Sequence, residues 1–279
     1  MSSVKILIEP GASQRNYWKE IWQYRGLLFF LAWRDLAVRY KQTVIGFLWA
    51  LLRPALTIAV AAFINWLNHR SESDGVPVLV MSSIAAIPWM LFASVFGEAS
   101  NSLISNANLL TKVYFPRLIV PLSVILVCLV DFAISLVILV LVMVIYQVIP
   151  GWEILLLPVF ISFALASASG AGFWLGSLNV KYRDFRYIIP VITQFGLFVS
   201  PVLFSSADIY QSNYPEWLKY LWSLNPMVVV IEGFKVSLLG MEKFAFHYGF
   251  IVSLFTGLVL LFYGIRYFRK TERGFADVI

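Results

Sequence analysis

Three ionisable residues lie inside long apolar runs of this sequence: Arg53, Glu98 and Asp131. A charge at bilayer depth is costly and usually faces an ionic partner or a wet cavity. Asp131 falls roughly 20 Å into its run and Arg53 about 12 Å into its own, at 1.5 Å of rise per residue. Glu98 lies near the end of its run. By depth, Arg53 and Glu98 make an easy pair, and Arg53 with Asp131 a less easy one. Either pairing would line a pore, lock two helices together, or do no more than bury one structural pair. A second set, Arg34, Arg39 and Lys41, lies in the segment before the first run and has the chemistry to attract phosphate. Its simpler role is to mark membrane topology.

Enzymatic chemistry has little to work with. The sequence holds no GxxxxGK[ST] phosphate loop, no HExxH and no GxSxG. His69 and His247 have no second ligand nearby, and the lone Cys128 allows neither a disulfide within the chain nor a metal-binding cysteine set. A single mid-span carboxylate with no histidine in the spans is also a poor proton relay. If this protein does work, the energy source is expected elsewhere.

The elements that hold these residues follow from composition. Hydrophobic residues make up 60% of the 279, charged residues only 13%, and the mean hydropathy is +0.82. A soluble chain would carry about 25% charged residues. Runs long enough to cross a membrane are expected at 44–67, 78–100, 118–147, 154–179, 187–204 and 246–266. The expected fold class is therefore all-α integral membrane with six spans, which puts both termini on one side. Lys and Arg choose that side. Of 21, seven fall in residues 1–45, two in 101–117, three in 181–186 and four in 266–273. The opposite loops hold only Arg70, Lys219, Lys235 and Lys243. This bias predicts cytoplasmic termini, and the charge placement argues against nucleic-acid binding despite a net charge of +6. The stretch around Glu9, Pro10 and Gly11 breaks any signal-peptide core, so the first span is expected to direct insertion. The division is then residues 1–43 as cytoplasmic N-terminus and interface helix, 44–266 as one transmembrane domain, and 267–279 as cytoplasmic tail.

Several segments have a character of their own. Phe29, Trp33, Leu36 and Tyr40 form one helical stripe, opposite Asp35, Arg39 and Gln42, so this helix is expected to lie in the headgroup plane. Between 205 and 245, Pro215-Glu216-Trp217 reads as a helix start, Asn225-Pro226 as a break, and Met227 to Leu239 as a second piece ended by Gly240. Both pieces are too short to span and read as re-entrant; an ordinary outer cap is the alternative. Ala164, Ala168, Gly172 and Gly176 recur every four residues, a face for close helix approach within the bundle or, less readily, for a dimer seam. Phe198, Phe204 and Trp217, with Trp66, Tyr210, Tyr220 and Trp222, either line an exit that stacks on sugar rings or belong to the interfacial belt. The loops at 101–117 and 181–186 are placed to dock another protein, or are plain connectors.

In order along the chain, Trp33-Arg34-Asp35, Val38-Arg39-Tyr40-Lys41-Gln42-Thr43, Gly46, Trp49-Ala50 and Pro54 resemble the membrane subunit of bacterial ABC-2 type polysaccharide exporters. Asn108-Leu109-Leu110, Phe115-Pro116-Arg117, Pro121, Asn179 through Arg186 and the tail Glu272 to Asp277 continue the match. The O-antigen branch is the most similar; Arg53 departs from it, since a glutamine is expected before Pro54. The resemblance implies an N-terminal amphipathic interface helix, two short re-entrant helices before the last span, and a homodimer forming one channel in the bacterial inner membrane. It implies no cofactor in this chain, with ATP and Mg²⁺ held by two copies of a nucleotide-binding subunit. Asn101, Asn108, Leu109, Lys112, Phe115 and Arg117 would form the ATPase-coupling loop, and Arg34, Arg39 and Lys41 would meet an undecaprenyl-linked polysaccharide. Teichoic acid or capsule remain open as cargo. From other classes, an ion-coupled carrier using Asp131 and a non-transporting scaffold also remain open.

Overall fold

The computed structural model describes residues 17–41, 46–67, 75–240 and 247–275. Residues 1–16, Gln42 and Thr43, the start of the first span, His69, Arg70, Lys243 and Ala276-Asp277 lie outside them. Among the described residues the chain is helical throughout, with no strand. Twelve α-helices are described: α1 (Tyr17–Gln23), α2 (Arg25–Lys41), α3 (Gly46–Leu67), α4 (Val78–Ser105), α5 (Ala107–Lys112), α6 (Ile119–Ile145), α7 (Leu157–Lys181), α8 (Phe185–Val199), α9 (Ser206–Tyr210), α10 (Glu216–Ser223), α11 (Met227–Leu239) and α12 (Tyr248–Thr271).

Five helical stretches are long and apolar enough to cross a membrane: Leu48–Leu67, Val78–Ser105, Ile119–Ile145, Trp152–Lys181 and Tyr248–Thr271. This is a multi-pass membrane protein. Helix α4 is the hub. Within the chain 67% of its most apolar stretch is buried, against 22% for that of α3. Its Val80, Ile84, Ile87, Val95 and Phe96 are almost wholly covered.

Small residues bring α7 against both neighbours. Ala164 and Ala168 are fully buried, and a Cβ on Gly172 would lie 2.9 Å from that of Ala99, so the four-residue stripe faces α4 inside this chain. On another side, a Cβ on Gly264 of α12 would run into the Gly170 carbonyl oxygen, which makes that crossing backbone on backbone.

The expected fifth span is a shorter helix than 187–204. At 15 residues, α8 rises about 22 Å, short of a ~30 Å hydrocarbon core. Pro201 stops it, holding Ser200 in extended backbone at φ −90°, ψ 154°. The chain completes the passage as buried, irregular backbone from Ser200 to Leu203. Its freed carbonyls are met by protein: Trp222 Nε1 donates to Val199 O at 2.7 Å and Asn65 Nδ2 to Val202 O at 3.4 Å.

Helices α10 and α11 form the expected broken pair, bent by 77°. Asn225 fixes the bend. Its Oδ1 accepts from Met227 N at 2.9 Å, its Nδ2 donates to Ser200 Oγ at 2.8 Å, and Ser253 Oγ donates to its carbonyl at 2.7 Å. Gly240, at φ +97°, ends α11 where a left-handed backbone favours glycine. Both pieces stay at one end of the bundle, since Glu216 accepts from Tyr248 at the start of α12. At the other end, the first and last described stretches meet: Tyr17 Oη donates to Glu272 Oε2 at 2.8 Å.

Candidate functional site

A cavity of ≈ 780 Å³ opens between α2, α3, α4, α6 and α8. Aromatic rings on its wall (Trp49, Trp89, Phe132 and Phe198) alternate with hydrogen-bonding side chains such as Thr57, Ser94, Asn101, Thr193 and Gln194. Arg39, Arg53, Glu98 and Asp131 all line it.

Their pairing differs from the sequence expectation. Arg39 reaches out of α2 and donates one Nη to Asp131 Oδ2 of α6 and the other to Glu98 Oε1 of α4 at 3.2 Å. Tyr40 Oη donates to the second Asp131 oxygen at 2.6 Å. Burial and this bond to the carboxylate push the Tyr40 hydroxyl up to about 12, so it remains the donor at neutral pH. Arg53 therefore pairs with neither Glu98 nor Asp131, and no carboxylate oxygen of any described residue lies within 4.0 Å of its nitrogens.

These contacts also reset the position of the interface helix. Arg34 Nη2 donates to Asn106 Oδ1 at 2.9 Å, just past the end of α4, whereas Arg39 meets Glu98 eight residues earlier. Eight residues are about 12 Å along a helix. The last turns of α2 thus run along α6, with Arg34 and Arg39 reaching across to the end of α4. Leu27, Leu28, Leu31 and Ala32 form the packed face, while Phe29, Phe30 and Trp33 point outward at 61–72% exposure. The expected aromatic stripe thus divides: Phe29 and Trp33 face outward, whereas Tyr40 turns into the cavity. Lys41 is exposed, whereas Arg34 is held by Asp35 and Asn106.

The expected coupling loop divides into an anchored part and a free part. Asn101 belongs to α4, which continues five residues beyond the expected end of the second span. It accepts from Asn179 Nδ2 of α7 at 3.1 Å. Asn108 and Lys112 of α5 face outward, with Thr111 and Tyr114, and Leu109 is half-buried. Phe115 is 5% exposed, and Arg117 donates to the Glu272 carbonyl with its guanidinium 6.0 Å from the Phe275 ring. Arg269 lies 4.6 Å over the Tyr17 ring beside them. The N-terminal helix, the Phe115-Pro116-Arg117 corner and the end of α12 are one packed unit, with α5 projecting from it.

Residues 26–239 match the family described as ABC-2 type transporter. The chain belongs to that family. It is 29% identical over 217 residues to the O-antigen export system permease protein RfbA of Myxococcus xanthus, covering 78% of this chain and 82% of that one. To the Klebsiella pneumoniae protein of the same name it is 26% identical over 258 residues, 91% of this chain and 95% of that one. The polysialic acid transport protein KpsM of Escherichia coli is 23% identical over 251 residues, 86% and 92% of the two chains.

Within this ABC-2 type chain the three expected exit aromatics do not converge. Phe198 faces the cavity, Phe204 packs 5.8 Å from Trp222 inside the far-end cap, and Trp217 points outward. That cap holds a feature the sequence reading missed. Glu232 of α11 is 8% exposed, accepts from Ser206 Oγ at 2.6 Å and pairs with Lys235 at 2.8 Å. Their i, i+3 spacing within an apolar helix was the available signal. Beside them His247 stacks on Tyr210 at 4.4 Å, and its buried Nε2 has no hydrogen-bond partner among the described residues.

Proposed function

We propose that this chain is the membrane subunit of an ATP-driven exporter that carries a lipid-linked polysaccharide, O-antigen first among the options, across the bacterial inner membrane. The carrying observation is the cavity wall. Aromatic faces interleaved with hydroxyl and amide groups suit sugar rings, which offer apolar C–H faces and a rim of hydroxyls. The names of the relatives support the same cargo class.

Energy would come from a separate nucleotide-binding subunit, docked on the exposed face of α5 (Asn108, Thr111 and Lys112) and on the loop at 181–186. Because α5 projects from the unit that ties Tyr17, Arg117 and Glu272 together, a push there reaches α1, α2 and α12 at once. The end carrying these elements would be cytoplasmic, in line with the Lys and Arg bias. Two copies would be needed to enclose the passage, since α3 and α8 leave many large apolar side chains uncovered, Trp49, Phe63, Tyr187 and Phe195 among them.

An ion-coupled carrier based on Asp131 finds less support, because both oxygens of that carboxylate are held by Arg39 and Tyr40. Teichoic acid or capsule would use the same wall. The test is deletion of the gene in its host, followed by analysis of lipid-linked glycan. Polymer accumulating on the cytoplasmic side and absent from the surface is expected. Normal surface polymer would overturn the reading.

A further inference from the structure

We propose that Arg53 is the cation on the cavity wall that receives a phosphate group carried on a lipid. This deepens the export reading and rests on it only for the identity of the cargo. An arginine at membrane depth faces an anion or a wet cavity, and Arg53 faces the cavity with its charge open to an anion that enters. Among the described residues no carboxylate lies within reach of it. The carboxylates at that depth, Glu98 and Asp131, are both taken by Arg39, and Glu232 is taken by Lys235 at the opposite end.

The surroundings suit a visiting anion. Arg53 is exposed to a cavity large enough for a headgroup, and its planar fork matches phosphate oxygens. Its position on the helix is set by its neighbours. Thr57 Oγ1 donates to the Arg53 carbonyl at 2.9 Å, and Pro54, next in sequence, is buried against the bundle. Glu98 and Asp131 share one guanidinium, so the side of the cavity formed by α4 and α6 repels an anion. The phosphate is therefore expected on the α3 side, beside Arg53. Two sources share this chemistry: the diphosphate of an isoprenoid-linked substrate and the headgroup of bulk anionic phospholipid.

The experiment uses the full-length protein in nanodiscs, as wild type, Arg53→Gln and Arg266→Gln; Arg266 is an exposed residue of α12 outside the cavity. Farnesyl diphosphate binding is titrated in discs of phosphatidylcholine, and thermal stability is compared between these and discs containing phosphatidylglycerol. Arg53→Gln is expected to weaken farnesyl diphosphate binding about tenfold or more, the loss of a charge-assisted contact, while Arg266→Gln stays within about twofold of wild type. If Arg53→Gln abolishes stabilisation by phosphatidylglycerol and leaves the diphosphate affinity intact, the phosphate site stands and its source is bulk lipid. If Arg53→Gln changes neither, or Arg266→Gln weakens binding equally, the proposal is overturned. Should Arg53→Gln fail to fold, Arg53→Lys replaces it. That variant keeps the charge but loses the fork, and is expected about three- to tenfold weaker; wild-type affinity there overturns the proposal equally. Binding is read without transport, so a site that survives while the host exports normally without the gene would separate this claim from the cargo reading.

Discussion

Arg39 is the residue on which this end of the bundle turns. It carries the only guanidinium bridging α2 to both α4 and α6 among the described residues, and its removal leaves two carboxylates facing one cavity. Side-chain exposures of 37% for Arg39, 51% for Glu98 and 31% for Asp131 reduce the cost below that of a fully buried pair. Arg39→Ala is expected to destabilise the folded protein by roughly 1–3 kcal/mol, and Arg39→Ala combined with Asp131→Asn to recover part of that loss. Thermal unfolding in detergent reads both; an additive double variant would show that no pair is broken. At the opposite end, burial lowers the His247 pKa below its ordinary 6.5. The folded state then binds fewer protons than the unfolded chain, so stability is full above about 6.5 and falls as the pH drops through that value. His247→Gln should flatten the melting midpoint between pH 7.5 and 5.5, and an unchanged slope would contradict it. The costly charges were legible in the sequence as isolated polar letters in apolar runs. Their pairing was not, because depth along one helix says nothing about which neighbour leans against it.

Among the elements, the broken pair α10–α11 was legible to the residue: Pro215, Asn225-Pro226 and Gly240 each punctuate where local backbone chemistry requires it. The long apolar helices were equally plain. The end of α8 was not, since Ser200-Pro201 stands inside an unbroken apolar run and hydropathy alone carries the span onward. The interface helix misled in another way. Phe29 and Trp33 of its aromatic stripe face outward, while Tyr40 turns into the cavity and Leu28 and Leu31 join the core on the face that packs against α6. The α7–α12 crossing gives the sharpest test at this scale. Gly264→Ala places a Cβ against the Gly170 backbone, and overpacking at a backbone contact is expected to cost about 1–3 kcal/mol. The measurement is monodisperse yield and melting midpoint; wild-type values for both would show that the helices can part freely there.

Across the whole molecule, the chemistry is divided between two ends. The end where the first and last described stretches meet carries the charged cavity, the Arg39 contacts of α2 and the projecting α5; the far end carries the bent α10–α11 pair and a buried Glu232–Lys235 link. In the proposed exporter, work supplied by a separate nucleotide-binding subunit reaches this body through the α5 end. That expectation is the central claim, and co-purification with a candidate nucleotide-binding subunit tests it most directly. ATP hydrolysis is compared for the ATPase alone, with the wild-type membrane subunit, and with a variant in which Asn108, Thr111 and Lys112 are alanine. A stable complex whose hydrolysis rises at least severalfold over the ATPase alone, and which loses that stimulation in the triple variant while the membrane subunit keeps its melting midpoint, is the predicted result. Full stimulation with α5 altered would contradict the coupling role, and failure of any such subunit to bind the wild-type protein would contradict the account as a whole.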